Sequence, residues 1–225
     1  MSVEPEIERH EDIFLGRIEG PILKWLVVRL PGFMTPDWLT SFGLIGNFII
    51  FIGFVLTNIS PWYLWLVNLA LVISWFGDSM DGTVARYRNQ ATRHGFYYDH
   101  IVDSISAVLI CVGWGLSPYI RLDIALYLLI AYLLMSIRAY MYAMVTGEFH
   151  IAYAGIGGTE FRVLAFGLNT IAFFVVLPEF QIFNTYCKFY DLIGILMTGS
   201  MTISFCVEVI RDMMKFKKME SNSNT

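Results

Sequence analysis

Long apolar segments separated by short polar stretches dominate the chain. Because a helix needs about 20 predominantly apolar residues to cross a membrane, this pattern predicts membrane-spanning helices. The predicted spans are Leu39–Thr57, Trp62–Thr83, Gly95–Leu116, Ile124–Thr146, Phe161–Leu177 and Phe189–Ile210. Their connections are too short to hold a second, soluble domain. We therefore expect an all-α integral membrane protein with one six-helix membrane domain, residues 39–211.

The segment before the first span, residues 1–38, has a different pattern. Apolar residues recur there near helical spacing among basic ones. This arrangement is typical of an amphipathic helix that lies in the membrane interface. Pro21 and the pair Pro31-Gly32 are expected to break the segment into pieces.

The composition agrees with a lipid environment. The 225 residues are 56% hydrophobic and only 15% charged, with a mean hydropathy of +0.60. Soluble domains have about 45–50% apolar and about 25% charged residues. The formal net charge is −4, from 15 Lys and Arg against 19 Asp and Glu. Since this balance provides no broad basic surface, nucleic acid is not an expected partner.

The basic residues predict the orientation, because Lys and Arg accumulate on the cytoplasmic side of membrane proteins. Thirteen of the 15 fall on one side of the predicted spans: Arg9, Arg17, Lys24, Arg29, Arg86, Arg88, Arg93, Arg138, Arg162, Arg211, Lys215, Lys217 and Lys218. Only Arg121 and Lys188 fall on the other side. Both termini are therefore expected in the cytoplasm. The C-terminus is a polar tail, residues 212–225, expected to be disordered from Glu220 onward.

Four aspartates lie where the hydropathy pattern disfavours them. Asp78 and Asp81 fall near the cytoplasmic end of the second span, and Asp99 and Asp103 in the first turns of the third. Each pair lies on one helix face, and a short connection makes the two helices antiparallel. Ionisable groups at membrane depth usually mark a site. We expect the four carboxylates to converge and, because they repel one another, to bind Mg²⁺ or Mn²⁺.

Small residues and one arginine accompany these acids. Gly77, Gly82 and Ala85 lie on the second span, and Gly95 opens the third. They would let a flat ligand approach the helix backbones, or they would let the helices pack closely. Arg86 is suited to pair with a phosphate, or to anchor the helix end among the headgroups. Together these residues indicate two metal ions beside a pocket for a flat, phosphorylated ligand.

The spacing of these residues resembles the signature of the CDP-alcohol phosphotransferase family. The match covers all eight fixed positions of that signature: Asp78, Asp81, Gly82, Ala85, Arg86, Gly95, Asp99 and Asp103. The resemblance extends over most of the chain, since the family also has an interfacial N-terminal helix, six spans and cytoplasmic termini. It further implies that the protein is a homodimer.

The resemblance implies a reaction of phospholipid synthesis. An acceptor hydroxyl would attack the phosphorus next to the alcohol of a CDP-alcohol, and CMP would leave. Asp78, Asp81 and Asp99 would hold two metal ions, and Asp103 would be a ligand, the general base, or both. The residues that would line the cytidine and its phosphates are Gly82, Ala85, Arg86 and Gly95. The active site would lie at the cytoplasmic leaflet.

Two motifs resemble the branch of the family that joins CDP-choline or CDP-ethanolamine to diacylglycerol. One is Asp-His-x-x-Asp-Ser at residues 99–104, and the other is Gly-Thr-Glu at residues 158–160. In that branch His100 would share or replace the role of Asp103 as base. Alternatively, His100 points at headgroups or a neighbouring helix. Members of that branch have additional spans, which the six segments do not provide.

Two arginines favour the other branch, which comprises synthases with an anionic acceptor such as inositol phosphate or glycerol phosphate. Arg138 in the fourth span and Arg162 at the start of the fifth resemble arginines in those enzymes. With Glu160, they are the candidates for acceptor binding. Alternatively, Arg138 is an anchor, or it pairs with Glu160 or Glu148.

The sequence Pro36-Asp37-x-x-Thr40, before the first span, resembles a further element of the family. The resemblance would place Asp37 and Thr40 near the nucleotide. The same two residues would serve equally well as a cap of the first membrane helix.

Two other functional classes would also have carboxylates or helices of this kind. A divalent cation transporter also carries carboxylates within the membrane, but near mid-span, with broken helices and repeats that this sequence lacks. A non-catalytic scaffold of the same fold would have no need of all four aspartates. The expected partners are therefore a CDP-alcohol, a polar alcohol or diacylglycerol, membrane lipids and a second copy of the chain.

Overall fold

A computed structural model describes residues 15–146, 158–175, 178–182 and 185–223. Across these ranges the chain is helical apart from one β-hairpin. The elements in chain order are α1 (Gly16–Val27), α2 (Pro36–Leu56), α3 (Tyr63–Tyr87), α4 (Arg93–Gly115), α5 (Leu122–Thr146), α6 (Gly158–Phe174), β1 (Glu179–Ile182), β2 (Thr185–Lys188) and α7 (Phe189–Ser223).

Five of these helices, α2, α3, α4, α5 and α7, are long and apolar enough to cross a membrane. They correspond to five of the six predicted spans, and they are the helices of an integral membrane protein. In the described part of the chain, α6 has only 17 residues. A sixth crossing, and with it the cytoplasmic location of both termini, stays a prediction.

The N-terminal helix α1 packs on α2 and α3 through one edge. Leu23 and Val27 join a buried cluster with Leu39, Met80 and Val84. The opposite side of α1 exposes large apolar side chains: Ile18, Ile22 and Trp25. This distribution agrees with a helix that lies at a membrane surface.

The expected break at Pro21 is wrong, because α1 runs through this residue. Pro21 is the sixth residue of α1, so it removes one intrahelical hydrogen bond. The packing of α1 on α2 and α3 offsets this loss. Pro31 and Gly32 do lie outside the helices, in the turn between α1 and α2. Residues 1–14 of the predicted interfacial segment lie outside the described residues.

Glycines allow α2 and α3 to approach at backbone distance. A Cβ at Gly77 would lie 2.5 Å from the Cα of Gly43 and 2.7 Å from the carbonyl oxygen of Leu39. A Cβ at Gly46 would lie 2.8 Å from the backbone nitrogen of Ser74. Cβ atoms do not occur at such distances, so only glycine fits here. Gly77 is therefore a packing residue, which decides between the two roles considered for it.

A buried polar chain links α2, α3 and α4 next to this crossing. Asn47 Nδ2 donates to Ser106 Oγ over 2.7 Å, and Ser74 Oγ donates to Asn47 Oδ1 over 2.8 Å. All three side chains are buried. Polar groups inside a membrane must find partners within the protein, so these bonds fix how the three helices are rotated against one another.

The connection between α3 and α4 is short, and the two helices form the predicted antiparallel pair. Arg88, at its start, donates to the backbone carbonyls of Leu30, Pro31 and Met34. Thr92, at its end, caps α4 by accepting from the backbone N–H of Gly95. The hairpin of helices is thus fixed at both ends of its turn.

The sequence pattern did not predict the β-hairpin that precedes α7. Its strands are antiparallel and have four residues each, which is too short for a clear alternation of polar and apolar positions. Asp191 in the first turn of α7 is fully buried and accepts from the backbone N–H groups of Lys188 and Arg121. This carboxylate ties β2 and the start of α5 to α7.

The last helix continues well past the predicted span end at Ile210, to Ser223. The expected disorder from Glu220 is therefore wrong as far as Ser223. Contacts to α5 support this extension, because Arg138 binds Asp212 and Lys215 donates to the hydroxyl of Tyr142.

Gly77→Ala is expected to destabilise the protein by about 1–3 kcal/mol, because the new Cβ would meet the backbone of α2 and not a movable side chain. Thermal unfolding of the purified protein in detergent should show a lower Tm. The matched control is Gly199→Ala on α7, where no described atom lies within 4 Å of the new Cβ. There the Tm should be unchanged or slightly higher. Equal Tm values for both variants would contradict the close crossing.

Candidate active site

The four predicted aspartates line one small cavity between α2, α3 and α4. The lining residues are Thr40, Gly43, Asn47, Asp78, Asp81, Asp99, Val102, Asp103 and Ser106. The cavity volume is about 10 Å³. A space of this size is too small for an organic molecule. The predicted convergence of the carboxylates is therefore present in the structure.

Asp81 is the most buried of the four, with 5% of its surface exposed. Its Oδ2 accepts from the hydroxyl of Thr40 over 2.7 Å, and its Oδ1 accepts from the backbone N–H of Gly82 over 2.5 Å. Thr40 thus acts on the acidic cluster and is not a helix cap. The cap of α2 is Thr35, which accepts from the backbone N–H of Trp38.

Asp78 forms an ion pair across the bundle. Its Oδ2 lies 2.9 Å from Nη1 of Arg162, which comes from the first turns of α6. Asp103 lines the same cavity as Asp78. One guanidinium offsets one of four negative charges, so the cavity still attracts cations.

Asp99 and His100 are neighbours in the cluster. Nδ1 of His100 lies 3.4 Å from Oδ2 of Asp99. The His100 ring also stacks on Tyr140 of α5 and contacts Phe96. His100 therefore lies against a neighbouring helix and near the acids at once, so the two roles considered for it do not exclude each other.

The donor set fits a hard divalent cation. The carboxylates and the hydroxyl of Thr40 are oxygen ligands, which Mg²⁺ and Mn²⁺ prefer. One potential ligand atom each from Asp99, His100 and Asp103 lie within 4.8 Å of one another. These residues can hold a metal ion with little rearrangement.

Four of the predicted nucleotide residues form two close contacts, one between Gly82 and Arg86 and one between Gly95 and Asp37. A Cβ at Gly82 would lie 3.2 Å from Nη1 of Arg86, so the guanidinium folds back over the backbone of α3. A Cβ at Gly95 would lie 3.4 Å from Oδ1 of Asp37. Ala85 precedes Arg86 and is half-buried. The N-terminal end of α2 and both arms of the helical hairpin thus meet on one side.

Arg138 is engaged away from the cavity. Its Nε and Nη2 bind both carboxylate oxygens of Asp212 over 2.6 and 2.7 Å, and Nη2 also donates to Glu208 over 3.1 Å. Both acids lie on α7. The alternative in which Arg138 pairs with Glu160 is wrong, and Glu148 lies outside the described residues.

Glu160 accepts a hydrogen bond from the backbone N–H of Leu15 over 3.0 Å, at the start of α1. Of the three candidates for acceptor binding, the structure therefore brings only Arg162 into contact with the acidic cluster.

Among the residues that were not predicted, Asn47 and Glu19 make the most contacts near the site. Asn47 lines the cavity and bonds to Ser74 and Ser106, and a polar residue within an apolar span is a signal that could have revealed it. Glu19 on α1 accepts from side chains of both α3 and α6. One acid within a segment of mixed charges gives no such signal, because its partners are distant in sequence.

Comparison with known proteins decides the family. The model of the CDP-alcohol phosphatidyltransferase family matches residues 33–207, which include the whole cavity. The chain belongs to this family. Members of the CDP-alcohol phosphatidyltransferase family are transferases, and the resemblance of the eight-residue signature is thereby confirmed.

Individual relatives of this family member match only in part. The chain is 32% identical to Cholinephosphotransferase 1 of Danio rerio over 48% of its own length and 31% of the relative's. It is 30% identical to CDP-diacylglycerol--serine O-phosphatidyltransferase of Encephalitozoon cuniculi, over 52% and 36%. It is 28% identical to Archaetidylinositol phosphate synthase of Pyrococcus horikoshii, over 44% and 55%. The chain thus spans 31–55% of the length of these relatives, whose names specify different alcohols.

Arg138→Gln is expected to lower stability by about 2 kcal/mol, because it leaves the carboxylate of Asp212 without its charged partner. The control is Arg211→Gln, which removes an exposed ion pair of Glu208 and should cost less than about 1 kcal/mol. Thermal unfolding in detergent measures both. Since removing both charges avoids an unpaired carboxylate, Arg138→Gln with Asp212→Asn should regain part of the loss. Equal Tm values for the two arginine variants would argue against this assignment.

Proposed function

We propose that this family member transfers a substituted phosphate from a CDP-alcohol to an acceptor hydroxyl and releases CMP. The observation that carries the proposal is the convergence of Asp78, Asp81, Asp99 and Asp103 in one cavity. The family and its signature spacing supply the reaction class. The reaction belongs to phospholipid synthesis, and it takes place at the cytoplasmic leaflet of a membrane, in a homodimer with six spans in each copy.

The four aspartates would hold two ions of Mg²⁺ or Mn²⁺. When bound, these ions would offset charge on the diphosphate and hold the attacking and leaving oxygens in line. Thr40 orients Asp81 by donating to Oδ2, which leaves Oδ1 facing the backbone of Gly82. Preorganised ligands of this kind lower the cost of assembling the site.

The proton of the acceptor hydroxyl passes to Asp103 or to His100. Asp103 lines the cavity. A ring nitrogen of His100 lies within 4.8 Å of a carboxylate oxygen of Asp103. A general base must be within hydrogen-bond reach of the proton it takes. The closeness of both groups to the acidic cluster supports either of them in this role.

The cytidine and its phosphates would bind where α2 meets the helical hairpin. Gly95 leaves the backbone of α4 accessible there, Ala85 adds only a methyl group, and Gly82 would be uncovered when the guanidinium of Arg86 moves from it to a phosphate. Arg86 would pair with a phosphate. Asp37 and Thr40 would complete the binding surface from α2.

For the alcohols, we favour a CDP-amino alcohol as donor and diacylglycerol as acceptor. Diacylglycerol presents a neutral hydroxyl and needs no anion pocket, and the ion pairs of Arg138 leave that residue committed to α7. The position of His100 beside Asp99 also supports this branch. The alternative pair is CDP-diacylglycerol with a polar alcohol or its phosphate, for which Arg162 would bind the acceptor.

A divalent cation transporter gains no support from the helices. The carboxylates lie near the C-terminal end of α3 and the N-terminal end of α4, and both helices are continuous. Transport sites are typically built at mid-membrane from broken helices.

Asp81→Asn is expected to lower CMP release by more than about 100-fold, because an amide is a poor ligand for a hard cation and Asp81 is the most enclosed carboxylate. Asp123→Asn, at the other end of the bundle, should keep its activity within about twofold. CMP release with Mg²⁺ measures both, and thermal unfolding verifies that both are folded. Full CMP release by Asp81→Asn would contradict the proposed metal site.

The donor and acceptor are tested by a panel of pairs. CDP-choline, CDP-ethanolamine and CDP-diacylglycerol are each combined with diacylglycerol, serine, inositol phosphate and glycerol phosphate, and CMP release is measured. We expect turnover with a CDP-amino alcohol and diacylglycerol, and none without a divalent cation. Turnover only with CDP-diacylglycerol and a phosphorylated polyol would overturn this choice in favour of the alternative pair.

A further inference from the structure

Glu19 of α1 is a shared acceptor for two other helices. Its Oε1 accepts from Nε1 of Trp75 over 3.0 Å and from the hydroxyl of Ser79 over 2.5 Å, both on α3. Its Oε2 accepts from the hydroxyl of Thr159 on α6 over 2.9 Å. One carboxylate on α1 therefore holds α3 and α6 together.

The partners of Glu19 lie next to the ion pair at the cavity. On α3, Ser79 follows Asp78 directly. On α6, Thr159 precedes Arg162 by three residues, so Thr159 and Arg162 are neighbours on one helix face. Asp78 and Arg162 are themselves 2.9 Å apart. The contacts of Glu19 and the ion pair thus join the same two helices at adjacent positions.

The other end of α6 is attached independently of Glu19. Nδ2 of Asn169 donates to Oδ1 of Asn68 on α3 over 3.0 Å, and Nδ2 of Asn68 donates to Thr170 over 3.2 Å. Loss of the Glu19 contacts would therefore loosen α6 at the end that carries Arg162 and leave its far end in place.

We propose that Glu19 is a positioning residue, which holds α6 at the distance from α3 at which Arg162 reaches Asp78. It thereby determines how much positive charge the acidic cavity contains before a cation binds. The inference rests on the proposed function in one respect, the assignment of Asp78 to the cation site. A guanidinium this close to Asp78 competes with a cation for the carboxylate, so loosening α6 strengthens cation binding.

Binding of Mn²⁺ alone tests the inference, without any substrate. Free Mn²⁺ is measured by paramagnetic resonance with the full-length protein in detergent, for Glu19→Gln, Arg162→Gln and the double variant. Arg162→Gln should lower the Kd for Mn²⁺ by about tenfold, because a nearby positive charge is removed. Glu19→Gln should lower it by about threefold, and by less than about 1.5-fold when Arg162 is already replaced.

A matched control and three contradicting outcomes make the test decisive. Glu208→Gln makes the same chemical change on α7, where the partners are Arg138 and Arg211, and should leave the Kd unchanged. An equal effect of Glu19→Gln with and without Arg162 would mean that Glu19 acts independently of that residue, and overturns the inference. An unchanged Kd for Mn²⁺ in Glu19→Gln also overturns the inference. A wild-type protein that binds no Mn²⁺ overturns it as well.

Two measurements separate this inference from folding defects and from the proposed function. If Glu19→Gln fails to fold, Thr159→Val removes only the contact to α6 and should give the same pattern in the double-variant comparison. CMP release by the wild-type protein tests the proposed function separately. Absence of CMP release together with the expected Mn²⁺ pattern would refute the function and leave the role of Glu19 standing.

Discussion

The site depends on the backbone contact between α2 and α3. Gly43 and Gly46 on one helix and Gly77 on the other allow an approach that no side chain would permit. Only at this distance does the hydroxyl of Thr40 reach Asp81. Asn47 then carries the constraint on to α4, through its bond to Ser106. Because the helices are held in this way, four like charges can be kept close together despite their repulsion.

The negative charge of the cavity is partly offset by an arginine from α6, a helix that does not line the cavity. Arg162 pairs with Asp78, and Glu19 holds the helix that carries Arg162. The exposed apolar side of α1 is suited to a membrane surface, and the same short helix contacts the start of α6, which carries Arg162. The second cluster, where Arg138 meets Asp212, joins α5 to α7.

Sequence reasoning succeeded where a short-range pattern was enough. Helical spacing places Asp78 with Asp81 and Asp99 with Asp103, and a turn of a few residues brings the two pairs together. It failed for Arg138, because the two acids that bind this residue are 70 and 74 positions away. It also left open whether Asp37 and Thr40 lie near the nucleotide or cap α2, since either role fits the same local pattern, whereas in the structure Thr35 is the cap.

The sequence by itself determined the membrane class, most of the spans, the family and the four carboxylates, because each follows from residues close together in the chain. Only the tertiary structure decided which basic residue meets the acids. Arg138 and Arg162 have similar surroundings in sequence, yet one binds α7 and the other binds Asp78. Which helix a side chain faces depends on how the helices are rotated and packed, and glycine contacts and buried polar bonds between distant residues fix that geometry.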